Sequence, residues 1–339
     1  MEAPVRMKVS VVVPVFNKAP FLRECFESIL SQSFADFELI VVDDQSTDTS
    51  MEVVASFRDD RIRTLRTERN VGPAGAAQRA MDVAQGEYII RVDADDINMP
   101  DRFARQIAYM DRNPGLGASG GHLACFGTET GTWRFPVGTD KCRAEVLFGN
   151  PIAQPTAIMR ASVLRKGGLR FGDDWPRIGE DWMLWARVLQ HADMDNMDVP
   201  LVHYRRGEQN STFGSRRSGY REVILHDVFR VFGIPLSDTQ ADLQLVGLRS
   251  FKEPPTRATV RSFREWLDLM REMNKARGLF QPAAFEKRLK DAWDQLFFAL
   301  PPYGVGPALA HYRLSDVRDP ARLTYLAKYT MNRWLGRLP

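Results

Sequence analysis

Three carboxylates stand within four positions in Arg91-Val92-Asp93-Ala94-Asp95-Asp96. Charges of one sign that close repel one another, and a cation makes the arrangement tolerable. Hard divalent ions such as Mg²⁺ and Mn²⁺ take oxygen ligands and commonly share them between carboxylates and substrate phosphates. Bound here, such an ion would neutralise a diphosphate leaving group. The simpler reading is an acidic turn capping the helix that follows Pro100. It would prevail for an isolated D-x-D, but the apolar strand ahead and a second acidic strand end favour the metal.

That second end is Val41-Val42-Asp43-Asp44-Gln45-Ser46-Thr47-Asp48. A carboxylate there can accept from a base imide or a ribose hydroxyl. Ser46 and Asp48 read as turn and cap residues in either case. Gly179-Glu180-Asp181-Trp182 pairs two acids at a helix start, where the helix dipole favours negative charge. An acid entering a cleft can instead act as general base on a hydroxyl, and the residues alone leave these two readings level. Asn70-Val71-Gly72-Pro73-Ala74-Gly75 opens a helix whose N-terminus could meet phosphate. The five histidines are scattered singly, which argues against zinc. No P-loop occurs.

Elements must hold these groups together. Residues 9–15, 37–42, 62–65 and 87–92 read as strands, the first two buried and parallel. Helical spacing of apolar residues covers 21–32, 72–84 and a stretch through Phe57. Strands alternating with helices mean βαβ units and a mostly parallel, doubly wound sheet. Ligands bind such sheets beyond the carboxyl ends of the strands. Those ends carry Asn17, Asp43, Asp44, Asp93, Asp95 and Asp96. Further on, 101–110 and 180–190 read as helices, and 116–126, 132–135 and 200–204 as strands. After Phe213 amphipathic stretches take over at 220–232, 239–248, 259–276, 282–300 and 322–335, an α-helical C-terminal module.

Taken in order, VSVVVPVFNKAPFLRECFESILSQSFADFELIVVDDQSTDTS, RNVGPAGAAQRAMDVAQGEYIIRVDADDINMPDRF and GEDWMLWARV resemble glycosyltransferase family 2 of the GT-A fold. The resemblance implies an α/β, Rossmann-like catalytic domain over residues 1–215, leaving 216–339 as the helical module. It implies inverting transfer of a sugar from a nucleotide-diphosphate donor, a UDP-sugar first among them, to a hydroxyl of a saccharide or lipid-linked saccharide. Bacterial surface polysaccharide or glycolipid synthesis would be the setting. Pro14, Phe16 and Asn17 would line the base and ribose, with Phe16 against the base. Asp43, Asp44, Arg79, Asp93 and Asp95 would complete the nucleotide-sugar site. Asp181 would be the catalytic base, and Glu180 and Trp182 would meet the acceptor. Asp95, Asp96 and His203 would hold Mn²⁺ or Mg²⁺.

Two departures from the family pattern stand out. Tyr204-Arg205-Arg206-Gly207 lacks the histidine frequent there, a place that His203 with Arg205 or Arg206 could fill. Gln154-Pro155-Thr156 replaces a frequent H-P-[ST] ahead of the acceptor loop. Rival readings are a non-catalytic nucleotide-sugar-binding scaffold and a nucleotidyltransferase. The second lacks an early glycine-rich triphosphate loop.

The composition suits an ordinary folded protein, with 44% hydrophobic and 26% charged residues. A net charge of +3 from 46 basic and 43 acidic residues gives no case for nucleic acid. Basic residues do gather at Arg205, Arg206, Arg216, Arg217 and Arg221, and again at Lys328, Arg333 and Arg337. Cys25, Cys125 and Cys142 form no metal or disulfide pattern, which fits a reducing compartment. The N-terminus lacks the order of a secretory signal and no apolar run spans a bilayer. A cytoplasmic protein, at most peripheral at the inner face of a membrane, is the expectation. The helix near the C-terminus, with Trp334 among cations, suits either a membrane interface or packing on its own protein or on a second copy in a homodimer.

Overall fold

The computed structural model describes residues 7–208, 210 and 217–337. Two strands, β1 (Val9–Val15) and β2 (Phe37–Asp43), are buried along nearly their whole length. Helices on both faces of a parallel sheet require that pattern. Between them α1 (Ala19–Leu30) turns Leu22, Cys25, Phe26 and Ile29 inward at helical spacing. Next come α2 (Ser50–Ser56), β3 (Ile62–Arg66), α3 (Gly72–Met81), β4 (Tyr88–Arg91), β5 (Ile97–Asn98) and α4 (Arg102–Arg112). After these lie β6 (Leu116–Gly127), β7 (Gly131–Trp133), α5 (Thr139–Glu145), β8 (Ile158–Arg160), α6 (Ala161–Gly167), α7 (Glu180–Val188) and β9 (Asp193–Arg206).

The sheet runs β3-β2-β1-β4-β8-β6-β9-β5, with β7 paired to β6. From β3 to β4 every pairing is parallel, which brings Asn17, Asp43 and Asp93 to one edge. Beyond β4 the sheet is mixed, because β8 enters antiparallel between β4 and β6. β6 and β9 pair in parallel.

Several elements differ from the sequence expectation. The strand anticipated at 200–204 spans Asp193–Arg206. Its first half alternates buried Met194 and Asn196 with more exposed acids, and Pro200 falls where the register against β6 shifts at His122. A proline tolerated at such an irregularity hides the strand from pattern reading. The short α5, α6 and β8 were likewise not anticipated, being too brief to show periodicity.

The chain divides into two compact units, Met1–Val146 with Asn150–Ser215, and Leu147–Gly149 with Arg216–Pro339. Phe213, Arg216 and the boundary expected after residue 215 lie outside the described residues, as does the side chain of Arg217. The second unit contains α8 (Arg217–Val231), α9 (Asp238–Gly247), α10 (Arg257–Arg277), α11 (Pro282–Ala299), α12 (Val305–Leu314) and α13 (Pro320–Trp334). Ser237 and Thr256 start α9 and α10 with reciprocal capping boxes. α12 was not foreseen, since Gly306 and Pro307 interrupt its first turn. His311 on it stacks on Trp293 at 4.1 Å between ring centres, and burial pushes its pKa down to about 4.

One polar group under the site anchors the first unit. Arg102 is fully buried and donates to Asn98 Oδ1, to Gln106 Oε1 at 2.9 Å and to the Arg91 carbonyl at 2.8 Å. Burial lowers its pKa to about 9. Arg102→Ala should cost about 3 kcal/mol or more, because three buried acceptors lose their donor together. Urea unfolding checks this, and a change under 1 kcal/mol would mean that water replaces the guanidinium.

Candidate functional site

β4 ends in the acidic run, and cations converge on it. Buried Arg91 pairs through Nη2 with Asp93 Oδ1 at 2.9 Å. Lys18, from the turn after β1, reaches Asp95 Oδ2 at 2.7 Å. The Arg205 backbone N–H donates to Asp96 Oδ1 at 2.9 Å, and its Nε donates to the Asp95 carbonyl at 3.0 Å. Asp96 Oδ2 is buried without a hydrogen-bond partner. Burial raises the Asp95 pKa, with Lys18 opposing and Asp93 adding. Burial raises that of Asp96 further, and the charges of Asp93 and Asp95 add to it. A crowded acid set with an orphaned buried oxygen fits a divalent cation.

The expected metal set needs correction at His203. Among the described residues no three His, Cys, Asp or Glu side chains converge as a metal site. His203 pairs with Ile97 across β9 and β5, and its ring lies edge-on to Phe126 at 6.4 Å. The register puts Arg205, two residues on, beside Asp95 and Asp96. A carboxylate pair without a third protein ligand matches the mode in which substrate phosphates complete the shell.

At the ends of β1 and β2 the chain holds itself in shape. Asn17 (φ 50°) and Gln45 (φ 69°) adopt left-handed backbone. The Asn17 side-chain carbonyl accepts from the Thr47 and Asp48 N–H groups at 2.8 and 3.3 Å. Asp48 in turn accepts from Ala19 N at 3.1 Å, at the start of α1, and from Ser50 N at 3.0 Å. Asp43 Oδ1 accepts from Ser46 N at 2.8 Å, and Oδ2 lies 3.3 Å from Arg66 Nε. Pro14 is half-buried, and Phe16 leaves 45% of its surface open at this edge.

Asp44 overturns the expectation that the 70–75 loop offers its helix N-terminus to phosphate. Its Oδ1 accepts from Val71 N and Thr67 Oγ1 at 2.8 and 2.9 Å, and its Oδ2 accepts from Gly72 N at 2.8 Å. The protein's own carboxylate occupies the positive end of α3. From there α3 runs back toward the start of β1, where Gly86 packs against Ser10. Arg79 is exposed in its last turn.

Glu180 and Asp181 are both buried in the first turn of α7, after Gly179 at φ 79°. Asn150 Nδ2 donates to Asp181 Oδ2 at 2.9 Å, and Trp182 N donates to Oδ1 at 2.9 Å. Burial holds Asp181 above the usual carboxylate range against these donors, and the Asp93 charge adds to it. Glu180 is raised by burial and by Asp181, with Arg91 opposing. The pair thus shares the electrostatic field of the β4 acids. Trp182 does not face an acceptor. It is 4% exposed, and its Nε1 donates to the Val146 carbonyl at 2.6 Å, because this face of α7 is core.

The glycosyl transferase family 2 model matches residues 10–168. An uncharacterized glycosyltransferase of Haemophilus influenzae is 32% identical over 219 residues, covering 60% of this chain and 67% of that protein. The chain belongs to glycosyltransferase family 2. Its fold is GT-A with a helical C-terminal region, like that of S. aureus TarS 1–349 solved with UDP-GlcNAc. That match covers 98% of this chain and 93% of TarS, at TM-score 0.59 and 18% identity. The mannosyltransferase PcManGT of Pyrobaculum calidifontis, solved with GDP-Man and Mn²⁺, matches at TM-score 0.50 and 17% identity, over 99% and 89% of the two chains.

Sequence reasoning missed four neighbours of the candidate site's residues. Lys18 and Asn150 carry no signal of their own, since their partners are 77 and 31 residues away. Arg177 reaches Asn70 Oδ1 at 2.8 Å and packs over Gly72. Tyr204, its pKa raised by burial and by Asp93, lies tilted against Trp133 with ring centres 5.7 Å apart. Asp44→Ala should lower the stability of the nucleotide-free enzyme by about 2 kcal/mol or more, through the lost cap and the stranded N–H groups. Thermal unfolding without ligand checks it. An unchanged midpoint would mean that Asp44 serves the nucleotide and not the helix.

Proposed function

We propose that this glycosyltransferase moves a sugar from a nucleoside-diphosphate donor, UDP-linked by preference, to a hydroxyl acceptor with inversion at the anomeric carbon. The observation that carries the reading is the buried Asp181 carboxyl. It is held above the ordinary carboxylate range, within the field of Asp93 and the other acids at the end of β4. A base with a raised pKa is suited to taking a proton from a hydroxyl. The UDP-GlcNAc complex of TarS supports the donor class. We place the reaction in the cytoplasm, with a saccharide or lipid-linked saccharide as acceptor, in the synthesis of bacterial surface polysaccharide or glycolipid.

In this reading Asp181 takes the acceptor proton as the hydroxyl oxygen forms its bond to the anomeric carbon. The bond to the diphosphate oxygen breaks on the opposite side. Asn150 fixes the Asp181 carboxylate, and Glu180 orients the acceptor. Phe16 packs on the base beside Pro14, and the Asn17–Asp43–Asp44 rim keeps that pocket open. Asp93 and Asp95, with Asp96 behind them, would hold Mn²⁺ or Mg²⁺ together with the donor phosphates, a reading that the Mn²⁺ complex of PcManGT supports. The ion, when bound, supplies Lewis-acid stabilisation to the departing diphosphate. Lys18, which pairs with Asp95, would turn its charge toward the phosphates.

Asp181→Asn keeps size and hydrogen bonding but removes proton acceptance. Turnover should fall by about two to four orders of magnitude while UDP affinity holds. Wild-type turnover in this variant would reduce Asp181 to a helix cap. EDTA, or Asp95→Ala, should abolish metal-dependent donor binding measured by calorimetry, and full binding in EDTA would remove the metal from the scheme.

The acid limb of the rate profile tests the pair differently. Activity should rise with pH through an apparent pKa above the ordinary Asp value of about 3.9, and that pKa belongs to Glu180 and Asp181 jointly. Asn150 donates to the charged form, so Asn150→Ala should move the limb to higher pH. A shift to lower pH, or none, would mean that Asn150 does not steady the base.

A further inference from the structure

The second unit leaves an apolar groove open beside α13. It measures about 570 Å³ and is lined by Val305 and Leu309 of α12 and by Leu323, Leu326, Met331 and Trp334 of α13. The α13 residues recur three to five positions apart, so they form one stripe along the helix. A stripe of this kind normally packs away. Here Leu326 alone is buried, while Met331 is 53% and Trp334 84% exposed. The helix is nonetheless held in place. Arg322 pairs with Asp294 at 2.7 Å, and Arg333 donates to the Pro302 carbonyl.

The charges around the stripe carry one sign. From Pro320 to the end of the chain there is no Asp or Glu, whereas Arg322, Lys328, Arg333 and Arg337 are basic. Lys328, Arg333 and Arg337 are exposed. Arg333 and Lys328 lie on opposite flanks of the stripe by helical angle. Cations flanking an apolar stripe that ends in an open tryptophan are complementary to anionic lipid over hydrocarbon.

We propose that α13 and its groove are a docking surface for an anionic bilayer. An acyl chain enters between α12 and α13, Trp334 sits at headgroup depth, and Lys328, Arg333 and Arg337 meet lipid phosphates. Among the described residues no helix is long and apolar enough to cross a membrane, so the helix lies on the surface. A second copy is the weaker occupant. A two-fold contact sets the same patch against itself, and here it would bring cation against cation with no acid on α13 to pair them. The inference does not depend on the transfer chemistry, because lipid binding is read without a donor.

Co-sedimentation of the full chain with phosphatidylglycerol–phosphatidylcholine vesicles tests it, with pure phosphatidylcholine as reference and light scattering for mass. The wild type should be monomeric and favour the anionic vesicles by about tenfold or more at low salt, with the preference eroding as salt rises. Lys328→Glu with Arg337→Glu should lose that preference by about tenfold or more. Met331→Ser with Trp334→Ser should weaken binding to all vesicles. Both double variants should keep the wild-type melting temperature and UDP affinity, which separates docking from misfolding and from the donor reading. Failure to bind anionic vesicles at low salt overturns the proposal. So does equal binding to neutral ones, or a dimer that Trp334→Ser dissolves.

Discussion

Like-charge repulsion at the end of β4 is the constraint around which the catalytic unit is organised. Asp93, Asp95 and Asp96 lie too close to be ionised together in a buried edge unless cations surround them. Arg91 answers Asp93 from the same strand, Lys18 answers Asp95 from the β1 turn, and the Arg205 N–H answers Asp96 from β9. Three separate pieces of chain are thereby drawn to one point. Arg102 lies beneath and binds the Arg91 carbonyl and Asn98, so the acidic loop rests on a fixed floor. Asp96 Oδ2 remains unanswered, which keeps the site receptive to positive charge.

A second anion works in the opposite sense. Asp44 fills the positive end of α3 and binds the loop from Thr67 to Gly72 to the end of β2. The Asn17 carbonyl and Asp48 do the same for the turn between β2 and α2. Groups that a nucleotide phosphate could have used are satisfied internally. These turns are therefore braced by their own hydrogen bonds, and the unmet electrostatic demand is concentrated at the β4 end. Preorganisation of this kind lowers the ordering cost of binding.

The helical unit rests on different physics. Its interior is aromatic, with Phe263 stacked on Trp293, Trp293 on His311 and Phe280 on Phe285. Gln244 supplies the polar link inside it, accepting from Trp266 Nε1 and donating to the Leu147 carbonyl. Burial of this kind needs no ligand, and it holds α13 in place while leaving one of its faces uncovered.

Buried parallel strands announce themselves as β-branched runs, and amphipathic helices as a period near 3.6 residues, so β1–α1–β2 and the long C-terminal helices were legible from the residues. The acidic strand ends were legible too, because a parallel sheet fixes which ends share an edge. β9 was only partly legible, since Pro200 and its polar first half disguise a strand that an irregular register tolerates. Side-chain direction was not legible at all. Trp182 follows Asp181 in the chain but points into the core. The amino-acid sequence by itself determined the family, the sheet and the positions of the acids, because these follow from local pattern and chain order. Which cations answer those acids, which oxygen stays unpaired and which histidine misses the site were decided only by tertiary structure, because each depends on strand register and on contacts between residues distant in the chain.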